Sequence, residues 1–154
     1  MRDIKYGRIY RIVYKNAKPY TALKLSKTDI PGLVRGLKSD NMFWRMTAQR
    51  LLVESKNIGA LAELFKIVGD RKRDEMGLNS PAVHALWTLH GLKAFNGSND
   101  AAINVVYKAL VHPAAAVRRT AAEVLPKNGA GGNAILKAGL ITDKDLNTRM
   151  HSLY

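Results

Sequence analysis

The chain has 154 residues, of which 47% are hydrophobic and 24% are charged, and this is enough for one soluble domain with a substantial core. It contains no cysteine, which excludes disulfides, thiolate zinc and iron–sulfur sites, haem attachment and thiol nucleophiles. No apolar run approaches the roughly 18 residues of a membrane span, and the N-terminal "MRDIKYGRIY" lacks the apolar centre of a secretory signal.

The formal net charge of +13 is distributed unevenly. Residues 1–50 contain 12 Lys and Arg against 3 acidic residues, whereas residues 51–154 contain 13 against 9. A basic excess is typical of proteins that bind nucleic acid. Because most of this excess lies in the first third of the chain, the remainder is only mildly basic.

Residues 1–27 predict an extended, strand-like arm. In "YGRIYRIVYK", Tyr6 to Lys15, β-branched and aromatic residues alternate in the mixture that strands favour, and both faces are partly apolar. No second strand is evident later in the sequence. We therefore expect the partner of this strand to lie outside the chain, and the arm before Thr28 to be disordered, folded back or paired with a second copy.

Residues 28–154 predict eight helices from their apolar spacing and capping residues. The predicted starts, in chain order, are Thr28 or Asp29, Asp40, the region of Ile58, Ser80, Ser98, His112-Pro113, the region of Ala134, and Thr142 or Asp143. The first helix turns Leu33, Val34 and Leu37 inward. The glycine-rich "GAGGN" at 129–133 predicts a turn, because glycine disfavours helix and no phosphate-binding strand precedes it.

The helices repeat in pairs, and this is the most informative feature of the sequence. A long polar residue recurs near the start of every second helix, at Arg45, His84, Arg118 and Arg149, with separations of 39, 34 and 31 residues. The pattern RxTAxxxL occurs at 45–52 and again at 118–125. Two helices in a period of this length are typical of an α-solenoid, in which each pair buries its apolar face on its neighbours.

The same four residues are the candidate site, and two interpretations of them stay open. Arg45, His84, Arg118 and Arg149 could form hydrogen bonds between repeats, which we favour, or a ladder that binds phosphates. Trp44 and Trp87 are expected in the core. The histidines do not match a metal motif, since His84 and His90 stand about 240° apart on a helix. No linear motif for catalysis is present, and no cofactor is predicted.

Four stretches, "GRIYRIVYK", "FWRMTAQRLLVES", "PAVHALWTLHGL" and "HPAAAVRRTAAEVL", together resemble the HEAT-like region that follows the β-propeller in bacterial membrane-bound dehydrogenases of the glucose/sorbosone type, which often carry a haem-binding cytochrome c module. The resemblance covers nearly the whole chain. It implies that Tyr6 to Lys15 closes a propeller blade absent from this sequence, and that the parent protein is exported or periplasmic. None of that family's catalytic or haem-binding residues matches a position here.

We therefore expect an all-α, HEAT-like α-solenoid of about four helix pairs over 28–154, preceded by the arm at 1–27. The predicted function is a non-catalytic scaffold that contacts neighbouring domains of a larger exported oxidoreductase, or another protein. A nucleic-acid-binding domain that uses the basic arm and the arginines is the alternative. The last helix, amphipathic as far as Leu153 and Tyr154, should expose an apolar stacking face and allow self-association.

Overall fold

A computed structural model describes Gly7, Tyr10 and residues 12–17, 22–97 and 99–153. These residues form eight α-helices and two short 3₁₀ turns, and the prediction of an all-α chain is confirmed for them. The helices are α1 Ile30–Gly36, α2 Met42–Ser55, α3 Leu61–Gly69, α4 Ser80–Gly91, α5 Asp100–Ala109, α6 Ala115–Val124, α7 Gly129–Lys137 and α8 Leu146–His151, and the turns are Ile58–Ala60 and Leu140–Thr142.

Asparagine and aspartate side chains begin most of these helices. Asp29 caps α1 as predicted, since its carboxylate accepts a hydrogen bond from Gly32 N at 2.9 Å. The predicted cap at Asp40 is wrong, because the next residue, Asn41, accepts from Phe43 N. Asp145 rather than Thr142 or Asp143 caps α8. The predicted cap Ser98 lies outside the described residues, and Asn99 caps α5.

The turn predicted at 129–133 is also wrong, because these residues form the first turns of α7. Asn128 caps the helix by accepting a hydrogen bond from Gly131 N at 2.9 Å. At Gly131 an added Cβ would lie 2.3 Å from the carbonyl oxygen of Pro126. Close contact with the preceding backbone, and not a turn, therefore explains that glycine.

The even-numbered helices lie side by side. Helix α2 contacts α4, α4 contacts α6, and α6 contacts α8, while α1 contacts α2 and α3 contacts α4. The approach of α2 to α4 is close, since a Cβ added at Gly91 would lie 2.6 Å from Cγ2 of Val53. The core between the helices includes the fully buried Leu33, Leu37, Leu52, Leu64, Leu86, Leu89, Leu110, Val117 and Leu140.

The described residues of the arm contain no strand. Ala17 N donates to the carbonyl of Tyr14 in a turn, and Ile12 and Tyr14 are exposed. The strand expected at Tyr6 to Lys15 is thus not confirmed for its described residues, and its other residues lie outside the described part. Farther along, Leu25 packs against the helical core. None of the helices described is long and apolar enough to cross a membrane.

Candidate functional site

Arg45 and Arg118 occupy the same position in their helices and make the same backbone contacts. Each is the fourth residue of its helix, α2 or α6. Nη1 of Arg45 donates to the carbonyls of Ser39 and Asp40 at 2.7 and 2.9 Å. Nη1 of Arg118 donates to the carbonyls of His112 and Pro113 at 2.8 and 3.1 Å. In both cases the acceptors lie six and five residues earlier, so each arginine fixes the chain that enters its own helix.

The second edge of the Arg118 guanidinium binds a carboxylate. Nε and Nη2 donate to Oδ2 and Oδ1 of Asp143, both at 2.7 Å, in a bidentate pair whose side chains are about one-tenth exposed. The hydrogen bond from Arg118 holds the pKa of Asp143 below its ordinary value, although burial opposes this, and the N–H of Asp145 lowers the pKa further. Arg118 thereby joins α6 to the segment that enters α8.

Asp70 is the residue that corresponds to Asp143 when Arg45 is aligned with Arg118. It follows Arg45 by 25 residues, as Asp143 follows Arg118, and its Oδ1 likewise accepts a hydrogen bond from the backbone N–H two residues later. Yet Asp70 does not form an ion pair with Arg45. Within the described part of the chain, Nε and Nη2 of Arg45 make no hydrogen bond, and Nε is shielded from solvent.

A cleft with a volume of about 460 Å³ lies beside Arg45. We call it the Arg45 cleft. One wall is the turn between α1 and α2, and the other is the loop that connects α3 to α4. Four cationic and three acidic residues line it, namely Lys38, Arg45, Lys72 and Arg73 with Asp40, Asp70 and Asp74.

The loop wall of the cleft is held by hydrogen bonds to its backbone. The side-chain amide of Asn79 donates to the carbonyls of Asp70 and Lys72, at 2.7 and 3.0 Å. Nδ1 of His112 accepts from Ala114 N, so Nε2 carries the hydrogen and donates to the carbonyl of Asp70 at 3.0 Å. The carboxylate of Asp74 accepts the N–H groups of Met76 and Leu78. The carboxylates of Asp70 and Asp74 thus accept hydrogen bonds from the loop backbone, whereas Lys72 and Arg73 are exposed.

His84 does not extend the arginine pattern. It is the fifth residue of α4, one position later than the arginines in their helices. Its Nδ1 lies 2.7 Å from Oε1 of Gln49 on α2, so it links two neighbouring helices. Burial lowers the pKa of His84, and the charge of Arg45 lowers it further. The neutral imidazole is therefore favoured at neutral pH.

Arg149 is the fourth residue of α8, as the repeat predicts. Its side chain is partly exposed and makes no hydrogen bond to another residue in the part of the chain that is described. The four predicted residues therefore do not converge on one site. Two arginines hold the entries to their helices, His84 contacts Gln49, and Arg149 lies at the C-terminal end.

The remaining histidines and the rings of the two tryptophans contact neighbouring side chains. Nδ1 of His151 lies 2.5 Å from the Glu123 carboxylate. Trp87 packs against the core as predicted, and its ring meets His90 edge-on. Trp44, by contrast, is only half-buried and does not belong to the core, so its predicted position is wrong. Its ring meets the exposed Phe43 edge-on. No group of three His, Cys, Asp or Glu residues suited to a metal ion occurs among the described residues.

The sequence analysis did not predict two features of the cleft. One is the aspartate at 25 residues after Arg45 and after Arg118, a spacing that the printed sequence shows once the arginines are aligned. The other is the set of cations Lys38, Lys72 and Arg73, which no sequence pattern brings together because the two loops meet only in the fold.

Comparison with known proteins finds no match: no family model, no curated protein and no solved structure corresponds to this chain.

Proposed function

We propose that the chain is a HEAT-like α-solenoid of about four helix pairs, α1/α2, α3/α4, α5/α6 and α7/α8. Two observations support this arrangement. The second helices of the pairs contact each other in sequence order. In addition, Arg45 and Arg118 repeat one set of backbone contacts, and Asp70 and Asp143 follow at one spacing. A unit of structure that recurs with its internal hydrogen bonds is what a repeat array requires.

Its function, on this proposal, is that of a non-catalytic scaffold that offers an extended surface to a protein partner. The repeated Arg contacts carry the proposal, because they fix the chain at the entries to α2 and α6. Exposed apolar side chains at the two ends of the row, Met42, Phe43 and Met46 on α2 and Leu146 and Met150 on α8, favour protein contact there. Leu146 and Met150 belong to the apolar face that the sequence predicts on the last helix.

The partner that the sequence resemblance suggests is the β-propeller of an exported oxidoreductase. The test begins with the reading frame upstream of Met1. If that frame encodes propeller blades, the blades and this chain should form a complex when they are produced as separate polypeptides and mixed. A propeller that folds but does not bind the chain would contradict the proposal, as would a frame that encodes none.

Nucleic-acid binding is the second candidate, and the net charge of +13 favours it. Against it, the guanidinium of Arg118 is already bonded through all three nitrogens and is buried. A titration of labelled duplex DNA against salt separates the two functions. The scaffold predicts weak binding that a variant without residues 1–27 loses. Tight binding retained by that variant, with a steep salt dependence, would support the nucleic-acid function.

A further inference from the structure

The sequence Asn-Gly occurs twice in this chain, at Asn96–Gly97 and at Asn128–Gly129, and the two pairs lie in different surroundings. We propose that Asn96–Gly97 is a self-modification site, at which the asparagine converts to aspartate and isoaspartate, and that the fold protects Asn128 from the same reaction. This inference goes beyond the scaffold function and does not depend on it.

The reaction requires only the chain itself and water. The backbone nitrogen of the glycine attacks Cγ of the asparagine, a C–N bond forms, and the side-chain amide leaves as ammonia with the proton of the attacking N–H. Water then opens the resulting succinimide ring. Cleavage of the bond to Cγ gives aspartate, whereas cleavage of the bond to the main-chain carbonyl gives isoaspartate, whose backbone runs through Cβ and is one carbon longer. Glycine favours the attack because no side chain shields its nitrogen.

The backbone at Asn96 can reach the reactive geometry without unfolding a helix. Asn96 and Gly97 lie in the connection between α4 and α5, and both are exposed. The φ angle of Gly97 is +88°, which other residues rarely adopt, and a Cβ added there would have no neighbour within 4 Å. Ring closure requires a rotation about the Cα–C bond of the asparagine. Because Asn96 belongs to no helix, this rotation breaks no helical hydrogen bond.

The start of α7 holds Asn128 through both of its oxygens. Its Oδ1 accepts a hydrogen bond from Gly131 N at 2.9 Å, and its main-chain carbonyl accepts one from Gly132 N at 3.0 Å. The rotation that brings the Gly129 nitrogen to Cγ moves these oxygens away from their donors. Gly129 is as open as Gly97, since a Cβ added there also has nothing within 4 Å. The helix start therefore protects Asn128, and steric shielding of the glycine does not.

The test is incubation of the full chain in mildly alkaline buffer made with water labelled with heavy oxygen, followed by peptide mapping by mass spectrometry. The label marks acids formed during the incubation and excludes those formed during digestion. Trypsin places the two asparagines on separate peptides, 94–108 and 128–137. We expect conversion at Asn96 to be roughly tenfold or more faster than at Asn128, because Asn128 reacts only when the start of α7 opens.

Unfolding and one substitution provide the controls. In guanidinium chloride the two asparagines should react at similar rates, since no helix then holds Asn128. The variant Asn96→Gln should remove the labelled acid from peptide 94–108, because ring closure through the longer side chain is much slower. That peptide also contains Asn99 and Asn104, and any reaction at these residues would survive the substitution.

Three results would overturn the proposal. The first is an Asn96 that stays unconverted in the folded chain over a period in which the unfolded chain reacts. The second is an equal rate at Asn96 and Asn128 in the folded chain. The third is a rate difference that persists in guanidinium chloride, because the neighbouring sequence and not the fold would then cause it. None of these results bears on binding to the propeller, so the two proposals fail separately.

Discussion

The pair Arg118–Asp143 is the least exposed ion pair among the described residues. Removing Arg118 leaves the largely buried carboxylate of Asp143 without its partner and frees the carbonyls of His112 and Pro113. The loss of one member of a buried ion pair typically costs about 3–5 kcal/mol. We therefore expect Arg118→Ala to lower the free energy of unfolding by about 3 kcal/mol, measured by urea denaturation. The variant Arg119→Ala is the control, since the Arg119–Asp145 distance is 3.6 Å and both side chains are about 30% exposed. It should lose less than about 1 kcal/mol, and an equal loss in both variants would contradict the assignment.

The same pair should respond to acid. The pKa of Asp143 is lower in the folded chain than the ordinary value of about 3.9 in the unfolded chain. Its contribution is therefore fully present above pH ~4 and is lost as the pH falls through the folded pKa. The difference in unfolding free energy between the parent protein and Asp143→Asn should be large at neutral pH and should shrink in acid. A difference that does not vary with pH would show that Arg118 does not stabilise the ionised carboxylate.

At the scale of the element, the glycines of α7 give a matched pair of substitutions. A Cβ at Gly131 would meet the Pro126 carbonyl, whereas a Cβ at Gly132 has nothing within 4 Å. Gly131→Ala should destabilise the protein by about 1–3 kcal/mol. Gly132→Ala should stabilise it by up to about 1 kcal/mol, because alanine is the better helix former. Thermal or urea unfolding of the two variants measures this, and effects of the same sign would contradict the packing described for α7.

The helices could be predicted from sequence because their apolar spacing is strong, whereas only some of their ends could, such as the cap at Asp29. Leu33, Val34 and Leu37 are buried as expected. The caps at Asp40 and Asp143 were misassigned because an Asp or Asn two residues or fewer away competes for the same role, and Asp143 is instead bound by Arg118. The start of α7 was missed because glycine's low helix propensity is overridden by tertiary contact.

The site was predictable only in part, for a related reason. The repeat located Arg45 and Arg118, and the symmetry of their backbone contacts follows from their equal position in the helix. The two arginines differ in the length of the loop between the corresponding aspartate, Asp70 or Asp143, and the next even-numbered helix. Two residues separate Asp143 from the first residue of α8, whereas nine separate Asp70 from the first residue of α4. The longer loop places Lys72 and Arg73 at the cleft, and no local pattern encodes that placement.

At the scale of the whole molecule, a repeat array predicts that disturbances stay near their origin, because each unit contacts only its neighbours. Helix α4 contacts α2, α3 and α6, whereas α8 lies at the end of the row and contacts α6 and the preceding turn. Amide hydrogen exchange should therefore be slowest in α4 and fastest in α8. Mass spectrometry of exchanged peptides measures this gradient.

Hydrogen exchange of the variant Asp143→Asn tests the proposed solenoid. Loss of the pair detaches the segment that enters α8 from α6, so exchange should accelerate in α7 and α8. Helices α1 to α3 share no contact with Asp143 and should keep their protection, provided that the array unfolds unit by unit. The control Arg119→Ala should leave the exchange rates of α7 and α8, and those of α1 to α3, nearly unchanged. An equal acceleration in all eight helices would mean that the chain opens as one cooperative unit, and the proposed array would then have to be abandoned in favour of a single packed bundle.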